Sequence, residues 1–429
     1  MSKRNIYTPE GVQDILVEEC YTKRGIEDSI RKVFRGFGYF EIETPSLEFY
    51  DTFSADGDLI PQEAMFKFFD QQGRILVLRP DITIPVARIV ATKYKNTDYH
   101  LKFSYIGNTF RYNELGGGKQ KEFTQAGLEL IGIKTPEADA EVIIAAISAL
   151  KAAGLEDFRV DIGQVNFFEG LMEETGLPRQ YTDQMRRLIE RKDFTGMEEV
   201  IDRCNISREL KELILELPQL FGGIDVIADV EKRVSGGNSL SALDYLRQVL
   251  CILGDSGLDK YVSIDLGMVQ SLNYYTGVIF KGFTHGIGFP VLSGGRYDNL
   301  VGKFGENCPA TGFSIGINLL MSAIKNQKAM QGTSFAKPAV DSLVCYEPEG
   351  RRAAFGICNE LRKRGLVAEM YINMAEGSGK AREYAKTREI NRFIYVLSSE
   401  SIELHDMERG EVIKTSIPGL LGEIFRLPG

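Results

Sequence analysis

Histidine is scarce in this chain of 429 residues, occurring only as His100, His285 and His405. That dispersal leaves no nucleophile–histidine–carboxylate set of the hydrolase kind. The six cysteines, Cys20, Cys204, Cys251, Cys308, Cys345 and Cys358, include no CxxC pair, so no spacing suggests a zinc site. Buried reduced thiols are the simpler reading. No apolar run reaches the roughly 18–20 residues of a membrane span. The amino terminus, MSKRNIYTPEG, has no apolar core of a secretory signal, and a cytoplasmic protein is expected. Basic residues are also not in excess: 51 Lys and Arg face 60 Asp and Glu, for a net charge of −9. A dedicated nucleic-acid binder usually carries a basic footprint, so nucleic acid is an improbable main partner, and small molecules or proteins fit better. There is no GxGxxG, no internal repeat and no low-complexity tract.

What remains is an ordinary globular composition, 43% hydrophobic and 26% charged, in a chain long enough for two or three domains. Thr8-Pro9-Glu10 reads as a helix start, and Ile26, Ile30, Val33, Phe34 and Phe37 predict an amphipathic helix over 20–37. FEIETPSLEF follows as a strand whose Pro45 confines it to an edge. RILVLRP, YHLKFSYIGNTFRY and KEFTQAGLELIG are further strands. Thr135-Pro136-Glu137 caps an alanine-rich helix ending at Gly154, and FRVDIG returns as a strand. Residues 167–253 are dominated by charged helical segments and read as a helical insertion. Strands resume with YVSIDLGMVQSLNYYTGVIFKGF, and PATGFSIGINLLMSAI reads as a strand running into a helix. A polar stretch without periodicity, 326–338, reads as a linker between a core of 1–325 and a small α/β domain of 339–429 that closes on a hairpin, IELHDMERGEVIKTSI.

Several side chains carry possible chemistry. Arg79 and Arg111 sit in strand-like surroundings, where an arginine either offers a planar fork to a carboxylate or phosphate or makes a structural ion pair. Gln125 and Glu129 share one face if their segment is a strand, and an amide acceptor beside a carboxylate suits an ammonium group. The alternative is a strand with its polar side toward solvent. Gly116 to Gly118 with Lys119 and Lys121 could approach a phosphate, but the pattern is not a P-loop, and a hairpin tip explains it as well. Tyr274-Tyr275-Thr276-Gly277 and Gly294-Gly295-Arg296-Tyr297-Asp298, each taken alone, are tight packing turns.

Taken together and in order, these segments resemble class II histidyl-tRNA synthetase over nearly the whole chain. GFGYFEIETPSLE is similar to that family's first motif, which builds a homodimer interface, and LRPDIT to its RPEGT element. FRYNELGGGKQKEFTQAGLE resembles the second motif, FRxERPQxGRxRQFHQxGxE, without a gap. MVQSLNYYTG resembles LVRGLDYYTG, and SGGRYDNLVGKFG with CPATGFSIGINLL resembles GGRYDxL and the third motif, GFxxGxxRL. The resemblance implies an α+β fold, with an antiparallel sheet core, flanking helices and a C-terminal domain like an anticodon-binding module. It also implies a histidine pocket of Asp81, Thr83, Gln125, Glu129, Tyr274 and Tyr275, with Arg111 as the phosphate or anion ligand.

The departures concern catalysis. Gln270 and Leu319 stand where the family has two of its three activating arginines. Asn113 replaces the glutamate of FRxE, Glu114 an arginine, Asn273 the aspartate of GLDYYT and Thr124 a histidine. Loss of one preorganised charge partner typically costs about 10²–10³ in rate. This pattern resembles a paralogous family without aminoacylation, the regulatory subunits of short-form ATP phosphoribosyltransferase. That likeness implies a non-catalytic subunit without a cofactor or metal. Its partner would be the short catalytic chain, within a larger hetero-oligomer, and it would confer histidine feedback on the first step of histidine biosynthesis. A divergent synthetase drawing on Lys119 and Lys121, or a tRNA-sensing protein, are the competing readings.

Overall fold

The computed structural model describes residues 6–54, 59–95, 97, 100–112, 120–202, 206–269 and 274–426. The chain divides into two compact units, Met1–Phe335 and Ala336–Gly429.

The larger unit is built on a nine-stranded sheet. Its order is Phe40–Glu41, Leu101–Phe110, Glu122–Ile131, Ala310–Gly316, Leu292–Arg296, Val278–Phe283, Arg159–Gln164, Val262–Asp265 and Phe221–Gly222. The five pairings from Leu101–Phe110 to Arg159–Gln164 are antiparallel. One side of the sheet is covered by helices. Val17–Gly36 buries Ile26, Ile30 and Phe34, each four residues apart, against Pro136–Ala152 and Ile317–Met330. Thr135 caps Pro136–Ala152 by accepting the Ala138 N–H on its hydroxyl, with proline in the first turn. The opposite side carries the Thr83–Lys93 helix and a three-stranded sheet of Leu47–Phe49, Ile75–Leu78 and Lys67–Phe69.

The region after Arg159–Gln164 is helical, through Val165–Glu174, Arg179–Arg191, Phe194–Ile201, Arg208–Glu216, Asp225–Glu231 and Gly237–Asp255. The last of these packs on both Val165–Glu174 and Pro136–Ala152, which anchors the insertion to the core.

Some boundaries differ from the sequence expectation, each for a local reason. Thr8-Pro9 forms a turn, with Val12 N–H on the Pro9 carbonyl, and the first helix begins at Val17 with Glu18 and Glu19 in its first turn. FEIETPSLEF is broken at Pro45 into two short strands that join different sheets. The helix from Ile317 runs to Met330, into the stretch expected to be linker. Tertiary bonds hold its polar end: Gln327 donates to the Asp157 carbonyl at 2.7 Å and accepts from the Glu156 N–H at 3.1 Å.

The smaller unit has a five-stranded sheet ordered Ala368–Met370, Ser342–Tyr346, Arg392–Val396, Ile402–Asp406 and Glu411–Thr415. The first two pairings are parallel and the last two antiparallel. Arg351–Lys363 and Gly377–Thr387 connect the parallel strands. A further helix, Ile417–Arg426, follows the closing hairpin and buries Leu420 and Ile424, one helical turn apart.

Candidate functional site

The centre of the large sheet is hollowed out by glycine. On Glu122–Ile131, the residues Gln125, Gly127 and Glu129 share one face, because successive strand residues alternate. Gln125 is flanked across the ladder by Gly107 and Gly316, and Glu129 by Phe103 and Gly312. A Cβ at Gly312 would overlap the Glu129 carboxylate, and one at Gly127 would overlap the Tyr105 hydroxyl. These glycines leave a cavity of about 400 Å³ over the sheet. Its walls come from both sides of the hollow: Asp81 and Thr83 from the start of the Thr83–Lys93 helix, Tyr274 and Tyr275 from the turn before Val278–Phe283, and Asn318 and Leu319 from the helix after Ala310–Gly316.

Glu129 is 1% exposed. It accepts hydrogen bonds from the hydroxyls of Tyr297 and, at 3.3 Å, Tyr105. Burial pushes its carboxyl up to about 8, against those hydroxyl bonds and with the nearby Asp81 charge adding to the rise. Asp81 is also raised by burial, offset by the Arg111 guanidinium and by N–H donors at the helix start, among them Ile84 at 3.0 Å. Gln125 presents a buried Oε1 with no hydrogen-bond partner among the described residues. A buried acceptor left unmatched is costly, and native structures seldom keep one without a use. The Tyr274 ring lies 4.9 Å from that of Tyr275 and 6.0 Å, edge-on, from that of Tyr297. This is an aromatic-walled pocket of acceptors, two of them carboxyls whose ionisation burial disfavours. A cation with an attached ring would satisfy all of it.

The histidyl-tRNA synthetase family profile matches residues 11–320. An ATP phosphoribosyltransferase regulatory subunit of Acetivibrio thermocellus is 61% identical, the alignment covering 98% of this chain and all of the relative. One from Ruminiclostridium cellulolyticum is 52% identical over 98% of this chain and 99% of the relative. The chain belongs to the ATP phosphoribosyltransferase regulatory subunit family. A solved structure from Bacillus halodurans C, described as an ATP phosphoribosyltransferase regulatory subunit/histidyl-tRNA synthetase, superposes with a TM-score of 0.81 at 33% identity, covering 92% of this chain and 99% of that one. Histidyl-tRNA synthetase from a Nostoc species has a TM-score of 0.82 at 23% identity over 99% of this chain and all of that one, a likeness of fold. The subunit is therefore a regulatory partner in ATP phosphoribosyltransferase rather than a catalyst, on a synthetase-like α+β fold.

The regulatory subunit's seven candidate residues, Asp81, Thr83, Arg111, Gln125, Glu129, Tyr274 and Tyr275, all line the one cavity. Arg111 donates from Nε to the Pro80 carbonyl at 2.9 Å and stacks over Phe123 at 5.4 Å. Arg79 is a structural arginine instead. Its guanidinium donates to the Asn108 carbonyl at 2.8 Å and grips the carbonyl and hydroxyl of Thr44, tying strand ends together. Leu319 faces the cavity with an alkyl chain. Thr124 alternates to the other face and donates to Asn108 Oδ1 at 2.8 Å. Asn113, Glu114, Gly116 to Gly118, Lys119, Gln270 and Asn273 lie outside the described residues.

Tyr105, Tyr297 and Lys281 belong to the site without having been singled out for it. Tyr297 stood in the GGRYD turn as a packing residue. Its role depends on reaching Glu129 across the intervening Ala310–Gly316 strand, which no local pattern signals. Among the described residues no group of His, Cys, Asp or Glu is placed to hold a metal, and no helix is long and apolar enough to cross a membrane.

Proposed function

We propose that this cavity binds free histidine and that its occupancy lowers the activity of the catalytic chain. The α-ammonium group sits between Gln125 Oε1 and Glu129, the imidazole lies beside Tyr274 and Tyr275, and Arg111 takes the carboxylate. Asp81 and Thr83 complete the polar wall. The single observation that carries the reading is the unpartnered, buried Gln125 Oε1 on the same strand face as a buried carboxyl displaced to about 8. An arriving ammonium supplies the missing donor and the missing charge together.

Calorimetric titration of histidine into the purified subunit tests it. Binding should weaken by about 100-fold or more in Glu129→Gln, and unchanged affinity in that variant would move the histidine site elsewhere.

The subunit also forms a homodimer in this proposal, through the region of the first motif. Phe40, Leu47, Phe49, Phe69 and Ile75 are exposed on neighbouring short strands of the Met1–Phe335 unit. An exposed apolar set of this kind marks an interaction surface. Sedimentation should find a dimer in the native protein and monomers in Phe40→Glu/Phe49→Glu. A native monomer would remove the proposal.

A further inference from the structure

The buried network behind the cavity has no part in holding a ligand, yet it begins one residue away from it. Arg296 and Tyr297 are consecutive at the end of Leu292–Arg296. Tyr297 lines the 400 Å³ cavity and donates to Glu129, whereas Arg296 lines a second cavity of about 320 Å³ beside the helical insertion. Arg296 is 2% exposed and makes a two-pronged pair with Asp139, Nε to Oδ2 at 3.0 Å and Nη2 to Oδ1 at 2.9 Å. Its Nη1 donates to the Ile133 carbonyl and to Asp298. From the insertion, Tyr245 on Gly237–Asp255 donates its hydroxyl to the same Asp139 Oδ2 at 2.8 Å. The tyrosine turn is tied in as well: Thr276 N–H bonds the Arg296 carbonyl at 2.7 Å, and its hydroxyl accepts from the Asp298 N–H at 2.9 Å.

We propose that the Arg296–Asp139–Tyr245 network couples the histidine cavity to the helical insertion, with Tyr245 as the positioning residue that makes the Gly237–Asp255 helix respond to occupancy. The inference rests on the histidine reading above. A guanidinium held at this many points moves as one piece with its carboxylate, because breaking a buried pair costs far more than shifting it. An ammonium beside Glu129 changes the bond from Tyr297, and a displacement of Tyr297 is carried through one peptide unit to Arg296. Tyr245 also lines the second cavity, so its helix has room to follow without overpacking. Close-packed elements of this kind answer small shifts by discrete movement.

Amide hydrogen exchange of the whole subunit, with and without saturating histidine, tests the coupling. The expected result is slowed exchange in Gly237–Asp255 as well as in the cavity strands of the native protein. In Tyr245→Phe, histidine should still bind, while its effect on Gly237–Asp255 falls by about fivefold or more, within the usual range of coupling between sites. A thermal melt of Tyr245→Phe without histidine checks that the insertion remains folded. Protection confined to the cavity strands in the native protein overturns the coupling and leaves the histidine site standing. Protection that reaches the insertion equally in Tyr245→Phe removes Tyr245 from the role. Failure of histidine to bind the native subunit at all removes the underlying site.

Discussion

Two walls of one cavity differ in what they offer. The wall built on Glu122–Ile131 presents a carboxyl and an amide acceptor, both buried, over glycines that leave them room. The wall built on Ile317–Met330 presents Leu319, an alkyl side chain without charge. Activating an amino acid takes two things, a grip on the amino acid and a charge to stabilise the reacting phosphate. In this chain the first wall has the acceptors for the proposed grip, and Leu319 brings no charge to the second. A pocket that grips a ligand without reacting with it can serve as a sensor, which is the role proposed for this one.

The largest effect that would break this contrast is at Glu129. Truncating one partner of a buried charge pair typically costs about 3–5 kcal/mol, so Glu129→Gln should weaken histidine binding by about 100-fold or more in a calorimetric titration. The same substitution should leave the empty protein at least as stable as the native one above neutral pH. The sign follows from Glu129 itself. Its folded carboxyl is raised to about 8, whereas an unfolded one ionises near ~4.3. Between those values the folded state holds the extra proton, so Glu129 makes native stability fall as pH rises. A melt series across that window should show a shallower fall in Glu129→Gln.

A smaller loss is expected from Gly312→Ala, whose Cβ would crowd the Glu129 carboxylate. Overpacking of about 1–3 kcal/mol corresponds to roughly tenfold weaker histidine binding, measured in the same titration. The pH dependence of affinity is next. If the ammonium requires ionised Glu129, affinity should drop by up to about tenfold per pH unit below 8, with a proton released on binding near neutrality. Flat affinity across that range would mean that Glu129 does not meet the ammonium. The smallest expected effect sharpens the comparison from the other wall. Leu319→Arg, outside the contacts proposed for the ammonium, should change histidine affinity by no more than about twofold, the usual size for substitutions away from the groups that carry an effect.

Much of the cavity wall was legible because strand alternation is local: Gln125 and Glu129, four apart on an apolar segment, had to share a face once that segment was a strand. Tyr105 and Tyr297 were not, since their contacts with Glu129 arise from register between segments far apart in sequence. Arg79 and Arg111 looked equivalent for the same reason. Only the tertiary fold ties Arg79 away from the cavity and leaves Arg111, held at Nε by the Pro80 carbonyl, lining it. The helix ends near Met330 and Ile417 were obscured where polar tethers or a short apolar pair, rather than long periodicity, hold the turn.

The most direct test of the account is ATP phosphoribosyltransferase activity of the short catalytic chain, assembled with native subunit or with Glu129→Gln, across a histidine titration. Both assemblies should be active without histidine. Histidine should inhibit the native one and leave the Glu129→Gln assembly active at about 100-fold higher concentration. Equal inhibition of the two would contradict it.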